Sequence, residues 1–100
     1  MEISLREVAV ALLNCGIHEQ VLLGSSQIRR EIQTIIDAFN REDIQAADRC
    51  LEEHTDGVAP KTMEDAEILN VLRPAYFACE RLLKQKRLYP YPLLPEPSKN

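Results

Sequence analysis

Glycine is scarce in this sequence. Gly16, Gly24 and Gly57 stand alone, and three isolated glycines cannot build the phosphate-cradling loop of a nucleotide-binding protein. Cysteine is scarce too. Cys15, Cys50 and Cys79 lie far apart and are odd in number, so no disulfide framework is visible and at least one thiol stays free. That usage fits a reducing compartment, and the cytoplasm is the expected location, because Met1-Glu2-Ile3-Ser4 lacks the basic start and apolar stretch of a secretory signal. No apolar run approaches the ~18 residues of a membrane-spanning helix. An excess of positive charge is missing as well. Twelve Lys and Arg face 16 Asp and Glu, a formal net charge of −4, which argues against the basic footprint of a nucleic-acid binder.

What is present is helical patterning. Ser4-Leu5-Arg6-Glu7 has the form of a capping box, and Leu5, Val8, Ala9, Leu12 and Leu13 behind it share one helical face. Gly16 provides the stop. Residues 17–23 form a short apolar stretch, either a helical turn or the bent end of the first helix. Ser25 or Ser26 can cap a second helix whose stripe is Ile28, Ile32, Ile35, Ile36 and Phe39. The stripe breaks after Phe39. Asn40-Arg41-Glu42-Asp43 therefore reads as a tight turn, with Asn40 as the left-handed stop, into an antiparallel third helix over 42–54 that turns Ile44, Ala47, Cys50 and Leu51 inward. Residues 55–62 read as a polar loop.

Thr62-Met63-Glu64-Asp65 opens a fourth helix reaching about residue 87. Leu69, Leu72, Tyr76, Cys79 and Leu83 form a heptad seam along it, and Ile68, Val71, Ala75, Ala78 and Leu82 broaden that face. Pro74 should kink or split it, having no N–H for the carbonyl of Asn70. Arg81, Lys84, Lys86 and Arg87 crowd its end, where cations offset the helix dipole or meet an acidic partner. Residues 89–100 hold four of the six prolines and read as an extended tail with Pro92-x-x-Pro95 spacing. The expected fold is thus all-α, a small helical bundle of about four helices over 1–88 with a Pro-rich tail over 89–100.

Candidate chemistry is thin. GxSxG, HExxH and CxxC are absent, and no nucleophile, base and orienting group are brought together by spacing. Cys15-x-x-His18 and Cys50-x-x-x-His54 have the donor types of a zinc site, but Cys50 falls on an inward helical face and the spacing is not that of a zinc finger. No metal and no cofactor is expected, and no enzymatic activity. The leading expectation is a module that binds another protein through apolar helix faces as an adaptor, chaperone-like subunit or inhibitor. Homodimerisation is expected from the breadth of the last helix's apolar face. The expected contact residues are Leu72, Tyr76, Cys79 and Leu83, with Tyr89, Tyr91 and Leu94 of the tail; the same residues fit the chain's own core equally well. The alternative is a small DNA-binding regulator in which Gly24-Ser25-Ser26 is the turn and Arg29 and Arg30 begin a recognition helix.

Overall fold

A computed structural model of the chain describes residues 2–88, so the tail residues Tyr89, Tyr91 and Leu94 lie outside the described residues. The architecture is all-α, with helices α1 (Leu5–Asn14), α2 (Glu19–Gly24), α3 (Ser26–Asn40), α4 (Ile44–Glu52) and α5 (Met63–Leu88). A two-stranded antiparallel hairpin, β1 (Thr55–Asp56) and β2 (Ala59–Pro60), joins the last two helices in place of the expected irregular loop. The helix beyond the expected four is α2, a six-residue helix that takes up the stretch read as either a helical turn or the bent end of the first helix.

Local chemistry explains each boundary. The Ser4 hydroxyl accepts from the N–H of Glu7, and the Glu7 carboxylate accepts from the N–H of Ser4, completing the capping box. At the other end, Ile17 N–H bonds the Leu12 carbonyl and Gly16 N–H bonds that of Leu13, with Gly16 at φ 94°. This is a Schellman stop. Ser25 caps α3 by accepting from Ile28 N–H.

The stop of α3 repeats the same pattern, with Asp43 N–H on the Ala38 carbonyl and Glu42 N–H on that of Phe39. Here the left-handed residue is Glu42, at φ 61°, not Asn40 as the sequence suggested. Asn40 has another task. Its planar amide offers one acceptor and one donor, which take the N–H of Ile3 at 2.8 Å and its carbonyl at 3.0 Å and so tie the chain's beginning to the end of α3. The turn also pushes the next helix back to Ile44, with Asp43 as its cap. A side chain at positive φ is strained, so Glu42→Gly should stabilise the protein by about 1 kcal/mol. The exposed contact between Glu42 and Arg87 that it removes is worth little. Chemical denaturation would show a higher midpoint at unchanged slope.

Helix α5 runs unbroken through Pro74. Asn70 is exposed and Pro74 half-buried on the solvent side, so water can satisfy the carbonyl that proline leaves without a donor, while Leu72, Ala75, Ala78 and Cys79 bury both flanks of the site.

Helix α5 is the central element. Lys86 Nζ lies 2.9 Å from Glu7, whereas the residues just after α1 line a groove with the first half of α5, so α1 runs antiparallel to α5. Phe39, at the end of α3, packs edge-on against Tyr76 with ring centroids 5.0 Å apart, and Ile28 sits beside Ile68 and Val71, so α3 runs parallel to α5. Helix α4 returns antiparallel, its Asp48 accepting from the Tyr76 hydroxyl at 2.7 Å. One continuous core results, from Ile3, Val8 and Leu12 through the α3 stripe and Ala47 to Ile68, Leu72, Ala75, Cys79 and Leu83.

Candidate functional site

Among the described residues one polar side chain is buried, and it is the centre of a charged cluster. His54 follows the end of α4, its N–H on the Leu51 carbonyl and its own carbonyl accepting from Lys61 N–H across the hairpin. This places its ring between α3 and α5. Nδ1 lies 2.7 Å from Asp65 and Nε2 lies 2.5 Å from Glu31. Asp65 is in turn set by the start of α5. Thr62 accepts from its N–H at 3.0 Å and donates to its second carboxylate oxygen at 2.8 Å. Glu31 accepts from Gln27, one turn earlier on α3, at 3.0 Å.

A neutral imidazole has one donor nitrogen and one acceptor, and an acceptor facing a carboxylate is repulsive. With a carboxylate at each nitrogen the ring is held as imidazolium. Burial works against this charge, but the hydrogen bonds that the ring donates to Asp65 and Glu31 outweigh it, and the His54 pKa is raised above its ordinary 6.5. The His54 hydrogen bond, followed by that of Thr62, holds the Asp65 carboxyl below its usual range.

The chemistry follows from the geometry. While the ring carries both protons, each nitrogen donates to a carboxylate and neither presents a lone pair to a substrate proton or a metal ion. The hydroxyl nearby, Thr62, donates to Asp65 rather than to the ring, which is not the order of a nucleophile–base–acid triad. Cys50, its neighbour in the candidate zinc pair, is half-buried on α4. Its thiol is pushed up by burial and then by Glu53 and Glu31. Cys15 is exposed at the end of α1, and Cys79 is buried with its thiol pushed up to about 12 by burial. Among the described residues no three His, Cys, Asp or Glu side chains converge as a metal site. The cluster acts as a clasp between α3, the α4–hairpin junction and α5. Sequence reasoning passed over Glu31 and Asp65 because they are 23 and 11 residues from His54.

The candidate contact residues on α5 take the second of their two placements, in the chain's own core. Leu72, Cys79 and Leu83 are buried in the chain's own core, and Tyr76 is half-buried against Phe39 and Asp48. The broad apolar face that suggested homodimerisation is covered by α1, α3 and α4. Arg29, offered as a DNA contact, donates instead to the carbonyls of Leu22 and Leu23, closing the end of α2; Arg30 is exposed. Carbonyls without helical donors attract a cation at this position, which is why the guanidinium folds back.

Among the described residues a groove of about 570 Å³ opens to solvent. It exists because α1 has 10 residues and α5 has 26, so α1 covers the second half of α5 and leaves the first half to the short α2 and the link before it. Ile17, Val21, Ile28, Ile68 and Val71 supply its apolar lining; Glu64 and Glu67 stand exposed on its α5 edge. A smaller groove of about 360 Å³ around Phe39, Ile44 and Leu83 carries both charge signs on its edge. Comparison of the chain with protein-family models, with curated proteins and with solved structures finds no match. Among the described residues no helix is long and apolar enough to cross a membrane.

Proposed function

We propose that the chain is a non-enzymatic protein-interaction module, an adaptor or regulatory subunit, that takes an apolar, positively charged segment of a partner protein into the groove beside α2. One observation carries this: the groove joins an apolar floor to an acidic edge, so the occupant it suits has apolar side chains flanked by Lys or Arg. A groove this size is within the usual range for a ligand site, and His18, Ser25, Gln27 and Asn70 add polar groups to its lining that can bond the backbone of a bound segment. The exposed Val21 and Leu23 on α2 extend the apolar surface outward. Free thiols at Cys15, Cys50 and Cys79 suit the reducing cytoplasm, where we place the module.

The test uses two synthetic amphipathic helical peptides with the same Leu face, one flanked by Lys and the other by Glu. The Lys peptide should shift the NMR signals of Val21, Ile28 and Val71, and the Glu peptide should not. Val21→Arg should abolish the shifts and Glu64→Lys should weaken binding about tenfold, consistent with loss of one or two favourable charge contacts. Equal binding of both peptides, or of neither, would refute the reading.

A further inference from the structure

The solvent face of α5 has a regularity of its own, opposite the core. Met63, Glu67, Asn70, Pro74, Phe77, Arg81 and Lys84 recur at alternating intervals of four and three residues. This is a heptad seam, and every member is exposed except the half-buried Pro74. Two large apolar side chains stand on it without cover, Met63 at 83% exposed and Phe77 at 53%. Phe77 is nevertheless oriented, its ring edge-on to Tyr76 at 5.7 Å. The charges are polarised along the seam, with Glu67 in the first half and Arg81 and Lys84 in the second. Among the described residues none of these three is in an ion pair, whereas Lys86 and Arg87 near the helix end are bound to Glu7 and Glu42.

We infer that this face joins two copies of the chain, α5 against α5, antiparallel about a two-fold axis between residues 74 and 77. Such an axis sets Phe77 against Pro74 of the other copy, Asn70 against its Arg81 and Glu67 against its Lys84. Each contact occurs twice, as an isologous interface requires. The flanking positions agree. Arg73 faces Glu80 of the other copy, and both are exposed and outside any ion pair among the described residues. The register is selective. Sliding the helices by one heptad separates Glu67 from Lys84 by about 10 Å and leaves like charges without partners. Parallel pairing stacks Lys84 on Lys84 and Arg81 on Arg81. The occupant is a second copy rather than another protein because the pattern complements itself under that one rotation. Pro74 and Phe77, at the axis, line neither groove, while Glu67 and Asn70 border the groove beside α2 and Lys84 the smaller one beside α4. The seam shares Glu67 and Asn70 with the edge of the groove beside α2, but Phe77 and Lys84 lie outside that groove, so Lys84→Glu and Phe77→Ser separate a failure of the dimer from a failure of the peptide reading.

Sedimentation equilibrium on the full chain, over about 10 µM to 1 mM, tests this in the range where a small polar interface shows itself. The mass should rise from 11.4 kDa toward twice that value, and less so in high salt. Glu67→Lys and Lys84→Glu should each weaken association about tenfold or more, since each change acts at two symmetric contacts. Mixing the two variants should restore the dimer, because each then meets its complement at both contacts. Phe77→Ser should also weaken association. All three sites are exposed, and circular dichroism would verify that each variant is folded. A monomer at every concentration, a dimer indifferent to these changes, or failure of the mixture to associate would each overturn the proposal.

Discussion

Leu72→Ala is expected to lower the folding stability by about 3 kcal/mol, the range for removing a fully buried Leu without collapse of the cavity. Leu72 has no exposed surface and sits near the middle of α5, in the core that this helix shares with α1 and α3. For a chain of this size that loss lowers the melting temperature by roughly 15 °C. Had Leu72 been a contact residue on an open helix face, as the heptad seam by itself suggests, the substitution would weaken partner binding and leave stability nearly unchanged. Thermal unfolding of the variant separates the two outcomes. A shift of only a degree or two would mean that the α5 seam is not the centre of the core.

The clasp at His54 should give the next largest effect and a pH signature that no apolar residue can produce. His54→Ala leaves Glu31 and Asp65 facing one another without the cation between them. The cost is about 2–3 kcal/mol, below that of a fully enclosed pair because both carboxylates retain about a fifth of their exposure. The sign of the pH dependence follows from the direction of each shift. His54 binds its proton more tightly in the folded chain than in the unfolded one. Its contribution is therefore complete below 6.5 and is lost as pH rises through the raised value. Asp65 works in the opposite sense. Its lowered pKa adds stability above 3.8, its ordinary value, and that share disappears as pH falls through the folded value. Stability should thus be greatest in weakly acidic solution and decline through neutrality into the alkaline range. In His54→Ala the decline above neutrality should be absent. Urea unfolding of both proteins from pH 5 to pH 9 measures this, and parallel curves would show that His54 is not held as a cation.

Local signals carry far along this chain and then stop. The capping box at Ser4, the Schellman stop at Gly16, the cap at Ser25 and the isoleucine stripe of α3 are each decided within a few residues, by hydrogen-bond geometry or by the 3.6-residue period, and all are legible in the sequence. The stop after α3 was legible as a turn, but not in which residue takes positive φ. Asn40 is the better left-handed residue intrinsically, yet its amide is bound to Ile3, 37 residues away, and the strain passes to Glu42. Pro74 was legible as a defect. That the helix continues through it depends on core packing to either side and on water reaching its outer face.

The candidate sites follow the same division. His54 was visible as a histidine four residues after Cys50, a spacing that suggested metal. Only the fold brings Glu31 and Asp65 to its two nitrogens and turns a possible ligand into a buried cation. Arg29 was visible as one of a pair of arginines, and only the nearby end of α2 shows where its charge goes. Sequence alone therefore determined the helices, their caps and which stripe of each is apolar, since these depend on neighbours a turn or less apart. Tertiary structure decided which apolar stripe is covered, which charges meet and which face of α5 is left to solvent, because those outcomes depend on residues that only folding brings within a few ångströms.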